Sequence, residues 1–340
     1  MKPCCRPLLF TVILLCLYAL TLEICERYYE RDLSIYQFAR KMERLHKGHA
    51  DSTVIIGDSR ALAIDFLDPA TGPRSYNYAF SNAGGMYPYP YFLDILLDHQ
   101  PPPEHIIWSF IPLMLTNAWD IFKEQPAPGA SEFYRSARLY QFEDIIRPSL
   151  DNLFIHYREA TKNILKAKFS ITYEALRNYF EESDNQHMLR DLFNEETGGL
   201  IFSRQHRWQY TPENYLETIP FSISQNAEIF IRMFLRKAQQ VQAKVYLLNM
   251  PIPEAIHSRR LKEGFYERYF TFMKSLRHEF PETLFIYDQL VAYPDDFFID
   301  GSHLNEAGVK QFQKQDYPEF LAWLERHSGT AEGPKEMSTQ

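Results

Sequence analysis

Residues 53–60 read Thr-Val-Ile-Ile-Gly-Asp-Ser-Arg. Four residues, three of them β-branched and apolar, stop at a glycine and run into a short polar turn. Such a run, apolar throughout rather than alternating, predicts a strand buried on both faces, as in parallel sheets. Four further runs share this character: residues 75–80 (SYNYAF), 105–110 (HIIWSF), 244–249 (KVYLLN) and 284–288 (LFIYD). Helical patterns and turn residues separate them, which predicts an α/β protein with a five-stranded parallel sheet.

Outward from these strands the organisation is uneven. Residues 113–240, between the third and fourth strands, are too many for one crossover helix. They carry helical patterns at 142–155, 157–169 and 226–241 and loops with Gly, Pro and Asn, so a mostly helical insertion over one end of the sheet is expected. A last helix is expected from Asn305 to about Arg326, and the polar tail 328–340 is expected to be disordered. The folded body is therefore expected over residues 51–327.

The first 50 residues differ. Residues 8–22 are almost purely apolar, with Lys2 and Arg6 before them and Glu23, Glu26 and Arg27 after. The run suits a single membrane-spanning helix within residues 1–25, or the core of a cleaved signal. No pair of small residues marks a cleavage site in ALTLEI at 19–24, and Tyr18, Tyr28 and Tyr29 suit the membrane interfaces, which favours a retained anchor. Basic residues on the leading side place everything after residue 25 outside the cytoplasmic (inner) membrane. Residues 26–50 are expected to form a helical stalk, with Leu33, Tyr36, Met42 and Leu45 at near-helical spacing.

Composition narrows the chemistry. A net charge of −8 with no basic stripe argues against nucleic acid. All four cysteines lie in the first 25 residues, so the body offers no thiolate nucleophile, disulfide or Cys-based zinc site. His99, His105, His206 and His257 are isolated, no metal or cofactor motif is present, and neither is expected. Trp208, Tyr210 and Tyr215 suit either a sugar-stacking face or internal packing, and packing is the more common use of such rings.

Two polar blocks remain. Gly57-Asp-Ser59-Arg leaves the first strand, where a serine at a strand-to-helix turn sits among backbone N–H groups that favour negative charge. A helix N-cap is the ordinary use of a serine there. Asp300-Gly-Ser-His303-Leu-Asn-Glu-Ala-Gly308 precedes the last helix, and an acid three residues before a histidine can hold its tautomer. In a parallel sheet both blocks leave carboxyl ends, so they can converge: Ser59 as nucleophile, His303 as base, Asp300 as orienting acid.

This pair of blocks, in this order, resembles the SGNH (GDSL-like) hydrolase superfamily over roughly residues 52–326. The resemblance implies a three-layer α/β/α fold and serine-based acyl chemistry without a cofactor. It also implies an oxyanion hole from two middle blocks. In Asn77-Tyr-Ala-Phe-Ser-Asn82-Ala-Gly84 the donor falls to Asn82, where the family has Gly, or to Gly84 with a shifted loop. The family's Gly-x-Asn-Asp block is missing after the third strand, where Ile111-Pro112-Leu113 stands, and the nearest Asn is Asn117. An anchor, a divergent third block and a helical insertion resemble alginate-type O-acetylation and teichoic-acid D-alanylation proteins of the cell envelope. The expectation is an extracytoplasmic esterase or O-acyltransferase acting on acylated glycan or a small acyl ester, with a membrane-bound O-acyltransferase as its expected partner. The alternatives are an inactive scaffold or glycan-binding partner of such an acyltransferase, and a lipid or thioester hydrolase.

Overall fold

The computed structural model describes residues 33–65, 75–80, 86, 88–116, 192–194, 196–201 and 221–328. The chain divides into two compact units, residues 1–39 with 126–191 and residues 40–125 with 192–340. The first unit is described only at residues 33–39. The expected anchor, the helical patterns at 142–155 and 157–169, the ring cluster at 208–215 and the polar tail past residue 328 all lie outside the described residues. Among the described residues no helix is long and apolar enough to cross a membrane.

The second unit holds a five-stranded, wholly parallel sheet. Its strands are β1 (Thr53–Gly57), β2 (Ser75–Asn77), β3 (His105–Ser109), β4 (Lys244–Leu247) and β6 (Leu284–Ile286), in the order β2-β1-β3-β4-β6. Two short parallel strands, β5 (Ile252–Pro253) and β7 (Ala292–Tyr293), pair separately. All five expected strands are therefore present, with shorter ladders than the apolar runs suggest. Backbone bonding continues past their formal ends: the Tyr78 and Phe80 amides donate to the Ile55 and Gly57 carbonyls at 2.8 and 3.1 Å. The Leu248 and Tyr287 amides likewise extend β4 and β6.

Both faces of the sheet carry helices. Register sets Ile107 beside Tyr246 and Trp108 beside Leu247, so Trp108 and Tyr246 point to opposite faces. Trp108 packs on Tyr89 of α2 (Pro88–His99) and on Phe234 of α3 (Gln225–Gln240), with ring centroids 5.8 and 4.6 Å away. Tyr246 meets Trp323 of the C-terminal helix edge-on at 6.1 Å. The crossover from β4 to β6 is made by α4 (Glu254–Lys262) and α5 (Phe265–Glu279).

The helix α1 (Leu33–His46) starts inside the expected stalk, and its residues from Arg40 onward belong to the unit that holds the sheet. Leu45 is fully buried and Arg44 pairs with Asp51 at 2.7 Å. Lys41 is buried too, its Nζ donating to the Ala79 carbonyl at 2.6 Å, and burial drives its pKa well down. The folded body thus begins ahead of residue 51.

The last helix differs from its expectation. It is two helices, α6 (Glu306–Lys314) and α7 (Asp316–Ser328), broken at Gln315. Pro318 explains the break. A proline has no N–H for the carbonyl four residues back, here that of Lys314, and its ring collides with it.

Candidate active site

The site begins with a close approach of two strands. Gly57 ends β1 beside Ser109 of β3, and a Cβ on Gly57 would stand 2.0 Å from the Ser109 carbonyl oxygen. Only glycine fits there. Asp58 then anchors the turn from within: its Oδ2 accepts the Ile111 amide at 2.5 Å and its Oδ1 accepts the Arg60 amide at 2.9 Å. This carboxylate, almost wholly buried, ties the end of β1 to the end of β3 and holds Ser59 between them.

A helix was expected after this turn. The chain instead makes a single 3-10 turn, Ala61–Ala63, and reaches Asp65 in the left-handed region at φ 60°. A three-residue turn carries little helix dipole, so the favourable field of a full helix N-terminus is not available at Ser59. Side-chain bonding fixes the turn instead. Asn77, fully buried at the end of β2, donates Nδ2 to the Ala61 and Ile64 carbonyls, both at 2.8 Å, and its Oδ1 accepts the Ala79 amide.

The far block folds as a tight loop. Phe298 and Leu304 form an antiparallel bridge around it, and the Ile299 amide donates to the His303 carbonyl at 2.9 Å. Asn305 caps α6 by accepting the Gly308 amide at 3.0 Å, while its Nδ2 donates to the Asp296 carbonyl at 2.7 Å. Within this frame Asp300 Oδ1 accepts the Ser302 and His303 amides at 2.8 and 2.9 Å.

The two blocks meet. His303 Nε2 lies 2.7 Å from Ser59 Oγ, and His303 Nδ1 lies 2.7 Å from Asp300 Oδ2. A carboxylate accepts only, so Nδ1 carries the proton toward Asp300 and Nε2 is left to accept from the Ser59 hydroxyl. Burial alone would raise the Asp300 pKa. The His303 side chain and the two backbone donors outweigh it and hold the carboxyl at about 2. Asp300 is therefore ionised wherever the imidazole needs an anion behind it.

The structure brings Ser59, His303 and Asp300 together. The expected oxyanion donors, Asn82, Gly84 and Asn117, all lie outside the described residues. Where the resemblance would require Gly-x-Asn, Ile111 leads into the buried 3-10 turn Pro112–Leu115, an apolar plug. Asp58 and Asn77 are the positioning residues that sequence reasoning passed over. Asp58 was hidden by its neighbour Ser59, although a polar residue directly after a buried strand is a signal for such a tie. Among the described residues, no group of three or more His, Cys, Asp or Glu side chains is placed to hold a metal ion. Comparison of the chain with family models, with curated proteins and with solved structures finds no match.

Proposed function

We propose that this protein is a serine esterase or O-acyltransferase that works through Ser59, His303 and Asp300. The observation that carries the proposal is the unbroken hydrogen-bonded chain from Ser59 Oγ through the imidazole to the Asp300 carboxylate. Two separate loops at the carboxyl edge of one sheet supply it, which is where α/β sheets place ligands. A serine capping a helix needs no imidazole at its hydroxyl, and a surface histidine needs no buried partner.

In this reading Ser59 Oγ attacks the acyl carbonyl carbon and its proton passes to His303 Nε2. The tetrahedral oxyanion collapses, the alcohol leaves with that proton, and the acyl group stays on Ser59. Water or an acceptor hydroxyl then gives its proton to His303 and attacks the acyl-enzyme. Ser59 Oγ leaves and regains a proton from the imidazole. Asp300 keeps Nδ1 protonated and stabilises the imidazolium.

The resemblance to SGNH proteins of the cell envelope extends this reading to a tethered, extracytoplasmic enzyme acting on acylated glycan. The apolar turn in place of the third block favours a second reading, a member that binds such a substrate or an acyltransferase partner without turnover. A fluorophosphonate probe separates the two. Labelling of the wild-type chain, absent in Ser59→Ala, is expected. A folded wild-type protein that takes no label overturns the enzyme reading.

A further inference from the structure

A cleft opens at the same carboxyl edge as Ser59. It is narrow: behind its open mouth there is room for about one water-sized atom. Its walls are Arg60 after β1, Pro112 after β3, Asn249 and Ile252 around the end of β4, and Arg260 and Tyr266 from α4 and α5.

The two arginines are its unusual part. Arg60 is 4% exposed and Arg260 3%. A guanidinium keeps its charge in proteins, so each contributes a full positive charge to the wall. A buried charge is tolerated when an opposite charge or good hydrogen bonds meet it. Asp58 stands 3.7 Å from Arg60 Nε, and that carboxylate already accepts two backbone amides. Among the described residues, no carboxylate lies within ion-pair distance of Arg260, whose guanidinium rests 5.0 Å from the centre of the Phe265 ring. Nε and Nη2 of Arg60 and Nε of Arg260 are buried without a hydrogen-bond partner. His257, one turn before Arg260 on α4, has its pKa lowered first by burial and then by the Arg260 charge. Two cations thus face one committed anion, and donors are left over.

What satisfies this arrangement is a small oxyanion. Carboxylate and phosphate oxygens accept from guanidinium forks with short, charge-assisted bonds. Pro112 and Ile252 line the same cleft as the two arginines, so an oxygen that enters it meets the guanidinium donors with little competing water.

We propose that the cleft is an anion-recognition subsite that binds a carboxylate or phosphate group carried by the molecule whose ester Ser59 attacks. The link to the ester rests on the acyl chemistry proposed above; the anion binding does not.

The test has two arms. In the first, the full-length Ser59→Ala chain is titrated calorimetrically with inorganic phosphate and, separately, with succinate, at constant ionic strength set by chloride. Saturable binding of at least one anion is expected. The tighter of the two assigns the group as phosphate or carboxylate. Affinity should fall about tenfold or more in Arg260→Gln and recover in part in Arg260→Lys, as for a hydrogen bond to a charged group. Absence of saturable binding for both anions, or equal affinity in Arg260→Gln, overturns the subsite. Should Arg260→Gln not fold, Arg260→Lys and the rise in wild-type melting temperature with phosphate over equimolar chloride carry the same decision. In the second arm, p-nitrophenyl butyrate is compared with the p-nitrophenyl half-ester of succinic acid. The ratio of kcat/KM, anionic over neutral, is expected to fall about tenfold in Arg260→Gln. Anion binding with both esters inert upholds the subsite while counting against the acyl chemistry. Turnover of both esters with an unchanged ratio overturns the subsite and leaves that chemistry standing.

Discussion

Asp300 takes hydrogen bonds from two backbone amides, which hold its carboxylate in place, and from the His303 imidazole, which that carboxylate orients. Replacing it with Asn keeps the shape but offers an amide where an anion stood, and the imidazole is free to carry its proton on Nε2, the wrong nitrogen. Asp300→Asn is therefore expected to lower kcat by about 10³- to 10⁴-fold with KM little changed, as loss of the orienting acid does in other serine triads. Steady-state kinetics on a short ester check this, and a loss below about tenfold would show that Asp300 does not orient the base. The same residue sets an acid limit on stability. Its carboxyl titrates at about 2 in the folded chain, against about 3.9 when unfolded. A group with a depressed folded pKa contributes stability that is full above its unfolded value and is lost as pH falls through the folded one. Urea midpoints of wild type and Asp300→Asn should therefore differ by a constant amount above about pH 5 and converge toward pH 2. The gap is about 3 kcal/mol at most, and less once the 31% exposure of the side chain is allowed for.

At the scale of elements, the β1–β3 contact decides whether Ser59 is held at all. Gly57→Ala would drive a methyl group into the Ser109 carbonyl and the Ala61 Cβ, the latter 2.5 Å away, and neither is the end of a flexible side chain. The two central strands must part, so a loss of about 3 kcal/mol or more is expected. Gly48→Ala makes the control: a Cβ there meets open space, and only the left-handed φ of 70° opposes it, costing about 1 kcal/mol. Urea unfolding of the two variants reads the difference. These elements also show what a sequence discloses. Short runs rich in aliphatic and aromatic residues, bounded by turn residues, gave away the five strands, most plainly the β-branched TVII at 53–56. The Ser59 and His303 blocks were readable because each follows or precedes its element directly. The break at Gln315 was legible in Pro318. The 3-10 turn after Ser59 was not legible, since Asn77, distant in sequence, is what stitches it. The arginine cleft was invisible for a similar reason: Arg60 and Arg260 are 200 positions apart, and each alone reads as a surface charge.

For the whole molecule, location decides what the site can reach. Residues 8–22 are apolar, Lys2 and Arg6 precede them, and α1 begins at Leu33, only ten residues beyond that run. From Arg40 the helix is already packed into the body through Leu45 and the Lys41–Ala79 bond. A retained anchor would tie the catalytic unit to the bilayer. A tether raises the effective concentration of membrane-bound partners or acyl donors at the site, to the millimolar range of about 1 mM for short flexible links. We expect the full-length protein to stay in the membrane pellet after alkaline carbonate washing. In spheroplasts, added protease should cut the body from outside, as basic residues on the leading flank dictate. A mature N-terminus near residue 25, with the protein in the soluble periplasmic fraction, would replace the anchor by a cleaved signal. The Ser59–His303–Asp300 geometry would stand unchanged, but any acyl donor would then have to diffuse to it.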